Sequence, residues 1–164
     1  MITGEDHLIE KCKQALVSEF EMKDLGILHY FLGLEVWQHS KGIFVNQGKY
    51  TLDLLNKFGM LDSKAMKTPM ETNLLKLKEA TEDSESVDPT LYRQIIGSLM
   101  YLVNTRPDIC YAVNVLSQFM CKPKQTHLVA SRHILRYLSG TIGYGLKYTK
   151  TQLSLRGYTY SYWV

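Results

Sequence analysis

No acidic residue follows Asp108. All 16 Asp and Glu fall within residues 1–108 against 12 Lys and Arg, while residues 109–164 carry the other 7 of the 19 basic residues. The net charge of +3 hides this asymmetry. A basic half joined to an acidic half points toward a polyanionic partner, and seven positive charges over that length are equally compatible with a solvated surface. No C-x-x-C pair occurs, and Cys12, Cys110 and Cys121 are odd in number. A disulfide framework is thereby excluded, and a reducing compartment fits. The cysteines read as buried thiols rather than zinc ligands. His127 and His133, six residues apart on one helix, would point about 240° away from each other, and the spacings match no zinc finger.

Long apolar runs are also missing. The stretch Ile95–Val103 lies between Arg93 and Arg106 and falls far short of the roughly 20 residues of a membrane span. The N-terminal residues meet acid at Glu5-Asp6 before any apolar run, so no signal peptide is expected. Hydrolase and nucleotide motifs are lacking too: no G-x-S-x-G, Walker loop, G-x-G-x-x-G or H-E-x-x-H. Composition is otherwise globular, with 45% hydrophobic and 21% charged residues. A chain of 164 residues can hold a core without staples.

What is present divides at an acidic stretch. Leu8, Ile9, Cys12, Leu16 and Phe20 repeat at helical spacing behind the acids Glu5-Asp6. Residues 28–38, rich in aromatic and branched side chains, lead through His39-Ser40-Lys41-Gly42 into Ile43-Phe44-Val45 and predict a β-hairpin. Tyr50, Leu54, Leu55 and Phe58 predict a short helix stopped by Gly59. Residues 71–87 read as an acidic linker. Asp88-Pro89 then opens a helix with Leu91, Ile95, Leu99 and Leu102 on one stripe. Thr105-Arg106-Pro107-Asp108 breaks it before a second helix carrying Ile109, Ala112, Val113, Leu116, Phe119 and Met120. A third runs from about Gln125 to Ser139. Residues 88–140 thus propose a three-helix bundle. Gly145–Tyr148 and Leu153–Tyr158 predict a short terminal β-hairpin, too small to be stable alone.

Two features suggest binding. With Leu128 at 0° on the third helix, Arg132 and Arg136 fall at about 40° and 80°, on one expected exposed edge. Lys122 and Lys124 stand just before it, so the four could line a rim spaced for backbone phosphates, or be an ordinary solvated face. Gly33, between large apolar neighbours in Tyr30-Phe31-Leu32-Gly33, marks either a close approach by a ligand or a bulge.

These residues resemble a known family. Phe20-Glu21-Met22-Lys23-Asp24-Leu25-Gly26 and Tyr30-Phe31-Leu32-Gly33-Leu34-Glu35-Val36 are similar to the segment after the active-site hairpin in reverse transcriptases of copia-type LTR retrotransposons. The likeness continues through Thr68-Pro69-Met70, Gly97-Ser98-Leu99-Met100-Tyr101-Leu102, Thr105-Arg106-Pro107-Asp108-Ile109, Leu116-Ser117-Gln118-Phe119-Met120 and Leu135-Arg136-Tyr137-Leu138. It covers nearly the whole chain.

The resemblance implies an α+β fold: an incomplete palm with an antiparallel hairpin, a three-helix bundle and a short terminal hairpin. Residues 1–70 would be the palm end, primer-grip hairpin and first thumb helix, 71–87 the linker, 88–140 the thumb and connection bundle, and 141–164 a truncated RNase H-like start. Phe31, Leu32 and Gly33 would grip the primer end, and Lys122, Lys124, Arg132 and Arg136 would contact phosphates. Arg106 would either contact phosphate or tie its own turn together. In the family, the stretch similar to residues 1–4 follows a Tyr-x-Asp-Asp turn that holds catalytic metal, so this chain is expected to begin beyond those acids. At the other end, Tyr160 and Tyr162 stand where the family has aspartates, the first a metal ligand; phenols supply neither the charge nor the geometry for two-metal chemistry. The expectation is a fragment of an RNA-directed DNA polymerase, inactive alone, with no cofactor of its own. Magnesium would serve only the intact parent. Its expected partner is RNA:DNA or DNA primer-template duplex, weakly held, with no membrane and no small-molecule substrate. Its expected place is inside the cell, with cytoplasm, nucleus and mitochondrion all open. The alternatives are a helical protein-interaction module and a relic that does not fold.

Overall fold

A computed structural model describes residues 5–24, 26–39, 42–71 and 85–149 of the chain. Helix α1 spans Asp6–Glu19, strands β1, β2 and β3 span Tyr30–Phe31, Leu34–His39 and Gly42–Asn46, and helix α2 spans Gly48–Lys57. Helix α3 spans Pro89–Leu102, a 3₁₀ turn occupies Pro107–Ile109, α4 spans Cys110–Ser117, α5 spans Gln125–Ser139 and β4 spans Gly145–Thr149. The fold is α+β, with one antiparallel sheet in the order β1-β2-β3-β4.

Each helix of the bundle starts and stops for local reasons. Asp88 caps α3 by accepting from the Thr90 amide at 2.8 Å, and Pro89 fills the first position, where no amide partner is needed. Its apolar spacing then places Tyr92, Ile95, Ile96, Leu99 and Leu102 inside, while Leu91 lies partly buried. Ile109, Ala112, Val113 and Leu116 meet that stripe from α4, and Leu128, Ile134, Leu135 and Leu138 from α5. Leu54 and Leu55 of α2 join the same core, because α2 packs on α5. Each such side chain contributes roughly 1.5–3 kcal/mol by leaving water, so this dry centre dominates the stability. Tyr92 is wholly buried and its phenol donates to the Leu116 carbonyl at 2.8 Å, sealing α3 to α4.

The strands depart from expectation at Leu32-Gly33. Residues 28–38 are not one strand: the chain turns at Leu32-Gly33, so β1 and β2 form a small hairpin of their own, with Phe31 opposite Leu34. Gly33 is therefore neither a bulge nor a mid-strand residue. The larger predicted hairpin is β2 with β3, in register Val36 to Val45 and Trp37 to Phe44. Gly145–Thr149, the first half of the predicted terminal hairpin, is the strand β4. It pairs with β3, Gly42 opposite Thr149 and Asn46 opposite Gly145. Glycine permits that pairing: a Cβ on Gly145 would strike the Val45 carbonyl and the Asn46 side chain, and one on Gly42 the Tyr148 carbonyl. Among the described residues, β4 thus joins the sheet of β1–β3. Residues 153–158, the other half of that predicted hairpin, lie outside the described residues, as does 72–84 of the acidic stretch. Its end is pinned: Ser86 bridges to Lys124, and Gln125 donates to the Glu85 carbonyl at 3.0 Å.

The cysteines are not buried thiols, since Cys12 and Cys121 are exposed and Cys110 is half-buried. Among the described residues, no helix is long and apolar enough to cross a membrane.

Candidate functional site

The first candidate is the β1–β2 turn. Leu32 and Gly33 both take positive φ, 48° and 77°, as a two-residue hairpin turn that matches strand twist requires. Glycine adopts this freely, whereas leucine does so at a cost of order 1 kcal/mol. The turn projects its apolar side chains outward: Leu32 is 71% exposed and Phe31 45%. Behind it, Tyr101 of α3 donates its phenol to the Leu32 carbonyl. Tyr101 in turn meets Tyr50 of α2 edge-on, with ring centroids 5.0 Å apart, and Tyr50 donates to the Ser98 carbonyl at 3.2 Å. Burial raises the Tyr50 phenol above its ordinary range. A cleft of about 340 Å³ flanks the hairpin, lined by His29, Tyr30, Glu35, Val36, Trp37 and Lys49.

The second candidate is the basic set on and before α5, and the structure divides it. Arg132 is exposed, but Arg136 is half-buried because residues 63–68 run along its face. Arg136 Nε donates to the Lys64 carbonyl at 2.8 Å, the Met66 amide donates to the Arg136 carbonyl at 3.2 Å, and His133 Nε2 donates to the Thr68 carbonyl at 2.9 Å. Arg136 therefore fastens a segment that sequence spacing did not place there, and the expected open arginine pair is one open and one covered. Lys122 is exposed and Lys124 half-buried at the other end of the helix, roughly 12 Å or more from Arg132 along the axis. The Lys124 amide donates to His127 Nδ1 at 3.0 Å, and His127 stacks on Phe119 with centroids 3.9 Å apart. His127 is a capping residue. The four basic residues run from just before α5 along its length rather than gathering at one point.

Arg106 ties its own turn. Its guanidinium is 2% exposed; Nε and Nη2 donate to Asp108 at 3.0 and 2.8 Å, Nη1 to the Thr141 carbonyl at 2.9 Å and Nη2 to Thr141 Oγ1 at 2.7 Å. Tyr137 donates to Asp108 Oδ2 at 2.8 Å. Burial alone would raise the Asp108 carboxyl, but hydrogen bonds from Arg106 and Tyr137, with the arginine charge, hold it below the usual carboxylate range. Tyr137 is pushed upward by burial and by the same carboxylate. The phosphate reading of Arg106 thus gives way to the structural one, and the Arg-Pro-Asp string was its signal. Tyr101, Tyr50, Tyr137 and Thr141 had no such signal, because their partners are remote in the chain.

Among the described residues, no three His, Cys, Asp or Glu side chains come together as metal ligands. Tyr160 lies outside the described residues.

A family profile described as "Reverse transcriptase (RNA-dependent DNA polymerase)" matches residues 1–72. The "Uncharacterized mitochondrial protein AtMg00810" of Arabidopsis thaliana is 41% identical over 99% of this chain and 68% of its own length. The "Retrovirus-related Pol polyprotein from transposon RE1", also from Arabidopsis thaliana, is 45% identical over 99% of the chain, and its counterpart from transposon TNT 1-94 of Nicotiana tabacum is 37% identical over 97%. The chain spans only 11% and 13% of those two polyproteins. No solved structure matches it. The chain belongs to the reverse transcriptase family, in its copia-type retrotransposon branch, and corresponds to one stretch of such a Pol polyprotein.

Proposed function

We propose that this chain binds primer-template duplex weakly and without sequence preference, and performs no nucleotidyl transfer or hybrid cleavage by itself. The observation that carries the reading is the β1–β2 turn, which exposes Phe31 and Leu32 while being anchored from behind on the helical core. An exposed apolar turn on a rigid support suits contact with the end of a nucleic-acid strand, the part that the family resemblance gives to this hairpin. The basic residues on and before α5 add a phosphate-facing contribution, led by Lys122 and Arg132, both exposed. Magnesium belongs, under this reading, to the intact parent enzyme.

The inactivity rests on tyrosine at position 160, where the family resemblance implies a metal-binding aspartate. The test is purified chain assayed for primer extension and RNA:DNA hybrid cleavage against a Tyr160→Ala control. Activity above that control contradicts the reading. A protein-interaction role has one observation in its favour, the exposed apolar side chains Leu8 and Val17 of α1 and Phe20 at its C-cap. A stable protein complex together with indifference to polyanions would replace duplex binding with that role.

A further inference from the structure

We propose that Tyr101 is a positioning residue for the β1–β2 turn, braced by Tyr50, and that this tyrosine pair couples the helical core to the part of the turn that meets a primer end; the second half of that statement rests on the duplex-binding reading above. The carbonyl of Leu32, a residue with positive φ, accepts from the Tyr101 phenol. Gly33 is fitted to the same phenol: a Cβ there would stand 3.1 Å from the Tyr101 oxygen, on a backbone with φ of 77°. Tyr101 is itself held by the edge-on Tyr50 ring, and Tyr50 by its bond to Ser98 one turn earlier on α3. Three elements, α2, α3 and the hairpin, therefore meet through two phenols. A two-residue turn with an exposed leucine in left-handed conformation has little else to fix it, since β1 is only two residues long. The phenol supplies the missing constraint and leaves the Leu32 side chain outside.

The test uses the whole chain and the variant Tyr101→Phe, which keeps the ring and removes only the hydroxyl. Tyr101 is 39% exposed, so the variant is expected to fold. Amide hydrogen exchange at Leu34, which closes the turn opposite Phe31, should quicken about fivefold to tenfold, while the core amide of Val113 stays unchanged. Tyr50→Phe should act in the same direction and less, and Tyr111→Phe on α4, 66% exposed, should do nothing. Unchanged exchange at Leu34 in Tyr101→Phe overturns the clamp. A second measurement reads the coupling: 2-aminopurine at the recessed 3′ end of a primer-template duplex, whose fluorescence response to wild-type chain should fall severalfold in Tyr101→Phe while the salt dependence of binding stays the same. An equal response in both proteins, with faster exchange, reduces Tyr101 to a purely structural residue and overturns the positioning role. Failure of the wild-type chain to bind the duplex defeats the duplex-binding reading and with it the coupling, while the exchange measurement still decides the clamp on its own.

Discussion

Helices α1 and α3 have 14 residues each, and both carry apolar side chains at helical spacing, yet α3 buries five of them and α1 none. The difference lies in what surrounds them. The apolar stripe of α3 faces matching stripes on α4 and α5, whereas Leu8 and Val17 of α1 and Phe20 at its C-cap are all more than half exposed. Amphipathic spacing names the face a helix can bury, and only a second element decides whether it does. What α1 has instead is a surface ion pair, Lys13 to Asp24 at 2.7 Å; their mutual hydrogen bond raises the lysine and lowers the aspartate. Such exposed pairs stabilise little.

The sharpest way to break this comparison is to truncate matched side chains. Leu99→Ala, at a wholly buried position, should destabilise the chain by about 2–5 kcal/mol in denaturant melts, and Leu8→Ala should stay within about 0.5 kcal/mol. Equal losses would mean that α1 is packed after all. Next in size is Asp108→Asn, which strands the buried Arg106 guanidinium and should cost about 3 kcal/mol, the lower end for removing one member of a buried pair, because Asp108 is itself 34% exposed.

The same network predicts a pH profile. The Asp108 carboxyl is held below its unfolded value, so its stabilisation is present above about pH 4 and is lost as pH falls through the folded value. Asp108→Asn should flatten that acid limb. Tyr92 and Tyr137 are shifted upward, Tyr92 strongly and by burial, so their contribution holds below about pH 10 and is lost as pH rises through their folded values. A chain whose thermal midpoint is flat from acid to alkali would contradict both limbs. Smaller effects follow at the edges of the bundle. Asp88→Ala removes the cap of α3 and should cost about 1 kcal/mol by thermal melt. Arg132→Gln should leave stability unchanged and reduce the salt slope of duplex binding by about one charge.

The helical half was the more legible in the sequence, for a physical reason. Asp88-Pro89 carries its own cap, Gly140 follows the last helical residue, and every stripe between them repeats with the helical period, so local chemistry and the packed result coincide. The sheet was harder because its pairings are remote. Nothing within Gly145–Thr149 announces that its partner lies about a hundred residues earlier, and only the glycines that let the strands close were visible. Sequence alone places Leu32 and Gly33 inside one strand, with Gly33 as a bulge or a close approach, because leucine seldom occupies left-handed backbone and the phenol that holds it there comes from α3. On α5, spacing placed Arg132 and Arg136 on one edge correctly, but it carried no information about the 63–68 segment that covers the second of them. The family resemblance was legible throughout, because it rests on residue strings rather than on contacts.

The central claim, that this stretch of a reverse transcriptase still holds primer-template duplex, is met most directly by fluorescence anisotropy of a labelled recessed RNA:DNA duplex titrated with the whole chain at about 50 to about 200 mM salt. The account predicts binding that weakens linearly in log salt, with a slope of a few charges that falls in Arg132→Gln. Binding that ignores salt, or none at the lowest salt, would contradict it.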